Sequence, residues 1–201
     1  MQTRRTLLAM PLALAAAPAF AQAAPTVRVA LTTAEGVIML ELEQAKAPIT
    51  VGNFLKYVDR KLYDGAAFYR ASTPPGGPKT FGLLQGGLQN DPKKVLPPIA
   101  HESTIKTGLT HTDGTISMGR HAPGTAQADW FICVGDQPYL DADPKDPKNP
   151  GFAAFGRVVE GMDVVKTLLA LPVDPKRGEG SMKGEMLVTP VRIVSARRVA
   201  P

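Results

Sequence analysis

The chain has 201 residues, of which 44% are hydrophobic and 20% charged, with a net charge of +5. That length fits one globular domain, and the apolar share excludes a wholly disordered chain. Nineteen glycines and nineteen prolines predict many turns between short elements. A single cysteine excludes an internal disulfide framework, and the modest positive charge does not indicate a nucleic-acid partner. Because Cys133 lies in an apolar run, we expect it to be buried and inert.

The N-terminal segment has the features of a signal peptide. Residues 4–5 are both arginine, and residues 7–21 form a run of fifteen without a charged or polar side chain. As a helix this run would span about 22 Å, too short for the hydrocarbon core of a bilayer. Its last three residues, 19–21, match a small-x-small cleavage site. We therefore expect a signal peptide over residues 1–21, a domain over residues 22–201 and a periplasmic location, reached by the Sec or the twin-arginine route.

The remaining chain has strand periodicity in most segments and helical periodicity in two. Helices are predicted over about residues 49–60, with Thr50 as N-cap, and over residues 161–171, where Pro172 ends the pattern. The predicted strands are Val27–Thr33, Val37–Leu42, Ala67–Arg70, Thr115–Met118, Trp130–Val134, Ala153–Val159 and Met186–Val199. Short strands, Gly and Pro turns and only two helices indicate a mainly β fold, a barrel with helices closing its ends.

The common catalytic and cofactor motifs are absent. The sequence contains no GxGxxG, no GxxxxGK[ST] and no HExxH. His101, His111 and His121 are not at metal-ligand spacing, and the Asp-rich tract 141–146 lacks the glycine and glutamate of a calcium loop. Ser117 lies in a GxxSxG segment one residue too long for a nucleophile elbow, so we interpret it as a polar sheet residue. We expect neither a metal nor a cofactor.

A series of short motifs runs through the chain from about Val27 to Val194. They are Ala47-Pro48-x-Thr50-x-x-Asn53-Phe54, Tyr63-Asp64-Gly65-x-x-Phe68-Tyr69-Arg70, Gln85-Gly86-Gly87, Ile116-Ser117-Met118-Gly119, Trp130-Phe131-Ile132-Cys133, Tyr139-Leu140-Asp141 and Phe155-Gly156-Arg157-Val158-Val159-Glu160-Gly161-Met162-Asp163. In this order they resemble the motifs of cyclophilin-type peptidyl-prolyl cis-trans isomerases. Each motif is weak alone, but the ordered series covers nearly the whole predicted domain.

This resemblance implies a fold, an activity and a class of substrate. The family fold is a closed eight-stranded antiparallel β-barrel with a helix over each end, which agrees with the predicted elements. The family activity is rotation about X–Pro peptide bonds, which breaks no bond and so needs neither nucleophile nor metal. The implied partners are proline-containing peptides and unfolded exported proteins.

The resemblance also implies the site residues. Arg70 matches the family's catalytic arginine, and Gln85 would accept a hydrogen bond from its guanidinium and hold it still. The implied substrate-binding residues are Phe131, Leu83, Met118, Gly119, Tyr139, Leu140, Phe81, Phe152 and Asp129.

Several positions depart from the family pattern. After a lengthened connection from Arg70, Gly82 stands where the family has a pocket phenylalanine, with Phe81 adjacent. Asp129 and Phe152 replace a common glutamine and histidine, and Tyr139 replaces the tryptophan of many eukaryotic members. We therefore expect an altered rate and peptide preference, and weak binding of cyclosporin-type inhibitors.

Two other classes of protein remain open at this point. A non-catalytic, proline-peptide-binding periplasmic chaperone on the same barrel would keep the apolar pocket but would not need Arg70. A periplasmic ligand-binding or hydrolytic domain would need a catalytic triad or a ligand cluster, which the sequence does not show. In each case we expect a monomer without stable membrane insertion.

Overall fold

The computed structural model describes residues 26–200, and the predicted signal peptide lies outside this range. The strands and helices follow in chain order, and two short 3₁₀ turns occupy Pro138–Leu140 and Gly180–Met182. The elements are β1 (Val27–Thr33), β2 (Gly36–Leu42), α1 (Pro48–Asp59), β3 (Ala67–Ser72), β4 (Gly82–Gly87), α2 (Thr104–Thr107), β5 (Thr115–Met118), β6 (Trp130–Val134), β7 (Ala153–Glu160), α3 (Met162–Leu169), β8 (Val173–Asp174) and β9 (Met186–Val199).

The strands form one closed antiparallel sheet. Its order is β1-β2-β7-β5-β6-β4-β3-β9, and β9 pairs again with β1, which closes a ring of eight strands. The two-residue β8 pairs with the start of β9 outside this ring. The prediction of a closed eight-stranded antiparallel barrel with two helices is therefore confirmed, and α2 adds only a single helical turn.

The longer helices, α1 and α3, pack at opposite ends of the barrel. Phe54 of α1 contacts Trp130, at the start of β6, with ring centroids 6.1 Å apart. Met162, at the start of α3, lies beside Gly114, which precedes β5 and so belongs to the other end. Apolar faces of both helices join the barrel core, which explains why their helical periodicity is clear in the sequence. No helix within residues 26–200 is long and apolar enough to cross a membrane.

The predicted N-cap of α1 was wrong. The helix begins after Ala47, and Thr50 lies buried within its first turn. The carboxylate of Glu102 accepts hydrogen bonds from the backbone N–H groups of Ile49 and Thr50, at 3.2 and 2.8 Å, and from the Thr50 hydroxyl at 2.7 Å. A distant carboxylate therefore caps this helix, in place of the local hydroxyl that the sequence suggested.

β6 divides its side chains between two apolar clusters. Trp130, Ile132 and Val134 point into the barrel core, whereas Phe131 and Cys133 belong to a second cluster on the outer face. This follows from the alternation of side chains along a strand. The prediction that Cys133 is buried is confirmed. The second cluster is the one that bears on function.

Candidate active site

Three of the sequence-predicted site residues lie in one row across the outer barrel wall. Arg70 on β3 is paired in register with Gln85 on β4, and Gln85 is paired with Phe131 on β6. The row continues to Ser117 on β5. Residues directly opposite each other on neighbouring strands have adjacent side chains, so the sheet register brings a cation, an amide and an aromatic ring together.

Protein atoms hold the Arg70 guanidinium on two sides. Nη1 donates to Oε1 of Gln85 at 2.7 Å, as the sequence led us to expect. Nε donates to Oε2 of Glu185 at 2.7 Å, and Nη2 lies 2.6 Å from the same oxygen. Since a guanidinium has five N–H donors, one N–H remains free on each terminal nitrogen. Arg70 is therefore fixed in place and still has donors to offer.

A β-bulge explains how Tyr69 joins the same group. The register of β3 on β4 shifts between Phe68 and Arg70, so that Tyr69 is an extra residue in the strand. Its hydroxyl accepts a hydrogen bond from Nε2 of Gln85 at 2.7 Å. Burial raises the pKa of Tyr69 further above its ordinary value, so the phenol stays protonated. Because Gln85 donates its amide nitrogen to Tyr69, its oxygen faces Arg70.

An apolar cluster lies on the same wall as Arg70, and Phe131 links it to the row through its pairing with Gln85. Phe131, Cys133 and Leu140 are buried in it, and Leu83 and Phe152 pack against them partly exposed. The rings of Phe131 and Phe152 meet edge to face, with centroids 5.5 Å apart and an interplanar angle of 81°. The cluster is separate from the barrel core, so its partly exposed side chains offer an apolar surface to a bound group.

Tyr139 and Gly119 lie at the margins of this surface. Tyr139 is 65% exposed in the 3₁₀ turn before Leu140, as expected for a rim residue. Gly119 lies beside Gln85, with the amide nitrogen of Gln85 3.4 Å from where a Cβ on Gly119 would stand. A Cβ at this position would therefore touch the residue that holds Arg70 and would lie closer still, at 3.2 Å, to the Asp129 carbonyl oxygen.

The other predicted binding residues do not reach the cluster. Met118 is fully buried in the barrel core, because it alternates with Ser117 along β5 and points inward. Phe81 precedes β4 and packs over Gly135. The expectation for Met118 is corrected, since its side chain lies inside the barrel, and Phe81 is not among the side chains of the outer cluster.

Asp129 also has a different role from the one expected. Its carboxylate is buried and accepts backbone N–H groups of Gln89 and Asn90 at 2.8 and 3.0 Å. These two residues have positive φ angles of 51° and 53°, a backbone conformation that residues other than glycine rarely adopt. The carboxylate of Asp129 therefore stabilises this turn. Burial raises the pKa of Asp129, while these backbone donors oppose the shift. We therefore assign Asp129 to the support of this turn and not to substrate contact.

A buried Ser-His-Asp arrangement lies beneath the cluster. Nδ1 of His111 is 2.6 Å from Oδ1 of Asp141, and Nε2 is 2.9 Å from the hydroxyl of Ser117. The His111 ring stacks on Phe131 with centroids 6.1 Å apart. Burial lowers the pKa of His111, which favours the neutral ring. The sequence predicted no triad, and this prediction was wrong as far as geometry is concerned. Ser117 is fully buried, however, so no substrate can reach its hydroxyl.

Three residues near the row escaped the sequence analysis: Tyr69, Glu185 and Arg120. The guanidinium of Arg120 lies 4.6 Å above the ring of Phe152, at the edge of the cluster. Tyr69 was visible only as part of a motif, and nothing around Glu185 or Arg120 in the sequence marks either residue as functional. Among residues 26–200, no three potential ligand side chains gather at a metal-binding distance.

Comparison with known proteins identifies the family. The profile described as "Cyclophilin type peptidyl-prolyl cis-trans isomerase/CLD" matches residues 28–198. Peptidyl-prolyl cis-trans isomerase cyp18 of Streptomyces antibioticus is 38% identical over 172 residues, covering 84% of this chain and 96% of the relative. Peptidyl-prolyl cis-trans isomerase A of Dickeya dadantii is 40% identical over 150 residues, covering 73% of each chain. The chain therefore belongs to the cyclophilin-type peptidyl-prolyl cis-trans isomerases, and it is an isomerase of X–Pro peptide bonds.

Solved structures agree on the fold. A cyclophilin-type isomerase of Cryptosporidium parvum superposes with a TM-score of 0.68 at 19% identity, covering 88% of this chain and 99% of that one. A second structure of that protein, determined in the presence of the dipeptide Ala-Pro, gives a TM-score of 0.67 at 20% identity, with 87% and 99% coverage. At these identities the comparison supports the barrel architecture alone.

Proposed function

We propose that isomerisation takes place on the outer barrel wall, with Arg70 as the catalytic residue. The observation that carries this proposal is the in-register row from Arg70 through Gln85 to Phe131. Rotation of an X–Pro bond crosses a barrier of about 18–20 kcal/mol, because the amide C–N bond has partial double-bond character. In the twisted state the prolyl nitrogen regains a lone pair. A free N–H of Arg70 can donate to that nitrogen and so stabilise the twisted amide.

The apolar cluster is the proposed site for the proline ring. Phe131, Leu83, Leu140 and Phe152 form a surface that the sheet register joins to Arg70 through Gln85, and the exposed Tyr139 precedes Leu140 at its rim. Binding the ring there excludes water from one side of the amide, which removes hydrogen bonds that favour the planar form. No group in this scheme forms a covalent bond to the substrate.

Substitution of Arg70 tests the proposal. Arg70→Ala is expected to lower the isomerisation rate about a hundred- to a thousandfold, the usual effect of losing one preorganised donor to a transition state. Arg70→Lys should recover little, because a single flexible ammonium lacks the planar fork that contacts Gln85 and Glu185 on two sides while a further N–H points at the prolyl nitrogen. Exchange rates of a short X–Pro peptide by NMR give the measurement, and thermal melts show whether each variant is folded.

A matched control is Arg157→Ala. Arg157 also pairs with a glutamate, Glu41 at 3.1 Å, but its side chain is 64% exposed on β7. We expect wild-type rates for this variant. A catalytic scheme based on the apolar surface alone makes the opposite prediction for the site, with Phe131→Ala severe and Arg70→Ala nearly as active as wild type. If Phe131→Ala is severe and Arg70→Ala is nearly as active as wild type, Arg70 is not the catalytic residue. That result would favour a proline-peptide binder without an essential arginine.

We further propose that the enzyme assists the folding of exported proteins in the periplasm. The support is the sequence of residues 1–21, with paired arginines, an apolar run and a small-x-small end. Mass spectrometry of protein released by osmotic shock should detect a chain that begins near Gln22 or Ala24. An intact N-terminus in the membrane pellet would contradict the proposal.

Tyr139 suggests a difference in inhibitor binding. By the resemblance of its motif, Tyr139 corresponds to a tryptophan of many family members, and its smaller ring offers less contact and a differently placed donor. We therefore propose that cyclosporin-type ligands bind weakly and that Tyr139→Trp strengthens binding by about 1–3 kcal/mol. Calorimetry on both proteins measures this difference, and no gain in a folded variant would count against the role given to Tyr139.

A further inference from the structure

Glu185 makes contacts that no feature of the sequence suggested. Its Oε2 accepts from Nε of Arg70 at 2.7 Å and lies 2.6 Å from Nη2, while its Oε1 accepts from the Ser72 hydroxyl at 2.7 Å. The carboxylate is thus engaged through both oxygens. The Arg70 and Glu185 side chains are 17% and 23% exposed, so the pair is largely shielded from water. Ion pairs shielded in this way hold their geometry better than exposed ones.

The fold places Glu185 beside Arg70 by two routes. The backbone carbonyl of Glu185 accepts from the N–H of Ala71 at 2.9 Å, which ties the residue to β3 just before β9 begins. The start of β9 is itself held by pairing with β8, where Val173 lies opposite Leu187. The main chain of Glu185 is therefore held by Ala71 and its side chain by Ser72, independently of the contact with Arg70.

A single anchor does not determine the orientation of a guanidinium. Gln85 bonds only Nη1, so the planar group could still rotate about that contact and about the end of its own side chain. Glu185 contacts the other edge, through Nε and Nη2, and together the two partners define the plane. The remaining N–H groups then point in a fixed direction. Small errors of orientation are costly in catalysis because the reacting atoms must be aligned before reaction.

We propose that Glu185 is a positioning residue for Arg70, itself held by Ser72. The inference depends on the proposed role of Arg70. A purely structural ion pair between β3 and the start of β9 would instead affect stability and leave turnover of the folded enzyme unchanged. The carboxylate also offsets part of the positive charge of Arg70, so its contribution must come from geometry and not from a stronger electrostatic field.

The test compares Glu185→Ala with Glu185→Gln. We expect Glu185→Ala to lower kcat about ten- to a hundredfold with KM for the peptide little changed, because the apolar surface is intact. Glu185→Gln should stay within about threefold of wild type, since its amide oxygen can accept from Arg70 while its nitrogen donates to Ser72. Ser72→Ala should lie between the two. The Nε–H resonance of Arg70 should be sharp in wild type and in Glu185→Gln, and broadened or lost in Glu185→Ala.

Glu41→Ala is the matched control, because Glu41 also pairs with arginines and has a side chain only 16% exposed, but it lies on β2. We expect Glu41→Ala to have the kcat of the wild type. The inference is wrong if folded Glu185→Ala keeps kcat within about twofold, or if Glu185→Gln is as slow as Glu185→Ala. If Glu185→Ala does not fold, Glu185→Leu replaces it, because leucine fills the space and accepts nothing from Arg70, and wild-type turnover there would equally overturn the inference. If Arg70→Ala is inactive and Glu185→Ala is fully active, the positioning role of Glu185 is refuted and the proposed catalytic role of Arg70 is not.

Discussion

Gln85 lies between a cation and a phenol. Its oxygen accepts from Arg70 and its nitrogen donates to Tyr69, both at 2.7 Å. Rotation of the Gln85 amide by 180° exchanges its oxygen and nitrogen with little change in shape. The hydrogen bond to Tyr69 therefore helps to determine that the oxygen faces Arg70. The Tyr69 hydroxyl, which remains protonated, therefore contributes indirectly to the orientation of Arg70.

Replacement of the Tyr69 hydroxyl tests this indirect contribution. Tyr69→Phe removes the acceptor for the Gln85 amide nitrogen, and we expect kcat to fall about fivefold, the equivalent of about 1 kcal/mol. Tyr63→Phe is the control, since the buried Tyr63 hydroxyl donates to the Ala128 carbonyl at 2.9 Å, in the core. That variant should lose about 1–2 kcal/mol of stability and no catalytic rate when folded. NMR exchange rates and urea unfolding separate the two effects, and equal rates for both variants would contradict the role of Tyr69.

At the scale of secondary structure, α1 depends on a carboxylate from a distant loop. Glu102 is only 2% exposed, and it meets the positive end of the helix dipole as well as two backbone donors. Few buried carboxylates are stable without such partners. The loop that carries Glu102 is thereby tied to the helix.

Substitution of Glu102 should weaken the fold and leave the chemistry unaffected. Glu102→Ala leaves two N–H groups and the Thr50 hydroxyl without their partner, so we expect a loss of about 2–3 kcal/mol in the free energy of unfolding. Glu102→Gln keeps one acceptor and should lose less. Urea unfolding measures this, with the exposed Glu160→Ala as control. A change of less than about 0.5 kcal/mol for Glu102→Ala, as for an ordinary surface site, would show that the cap is dispensable.

The success of sequence-based prediction differed between elements for physical reasons. β1 and β2 alternate apolar and polar residues because one face is buried, and both were predicted. β4, residues Gly82–Gly87, was not predicted, because three of its six residues are glycine and carry no pattern. Packing nonetheless favours glycine at Gly86, since a Cβ there would stand 3.0 Å from the Trp130 ring and 3.2 Å from the Phe68 ring. Similarly, Thr50 resembled a cap locally, and the true cap comes from a residue 52 positions away.

At the scale of the whole molecule, the single cysteine can report global unfolding. Cys133 is fully buried in β6 of the closed sheet, and burial raises the pKa of its thiol to about 12. At pH 8 the group is therefore protonated and inaccessible, and only the thiolate reacts. We expect no labelling by a thiol reagent under native conditions and complete labelling in denaturing urea.

An exposed cysteine supplies the comparison. Val194 on β9 is 55% exposed, so Val194→Cys in a Cys133→Ser background should react at once in the native protein. For Cys133 itself, the labelling rate should follow the population of the unfolded chain as urea increases. Rapid native labelling of Cys133 would reveal local opening of β6 and would contradict the prediction.

The active-site prediction depended on where the contributing residues lie in the chain. Arg70, Gln85 and Phe131 belong to short motifs that can be read within a few residues, and the closed sheet aligns them in one row. Glu185 is separated from Arg70 by 115 residues and belongs to no motif. Its proximity results from the pairing of β3 with β9, which only the folded molecule shows. Met118 was misassigned because a motif does not reveal which face of a strand a side chain occupies.

The alternation along β6 has a consequence for mutational tolerance. Trp130, Ile132 and Val134 pack inward, and Phe131 and Cys133 pack outward, so the two clusters share a backbone and few side-chain contacts. Substitutions at the partly exposed outer positions 83 and 152 are therefore expected to leave the inner packing intact. Peptide preference can diversify at these positions without loss of the barrel. A combinatorial library restricted to them should consist largely of folded proteins, which makes this wall a suitable scaffold for selecting new proline-peptide specificities.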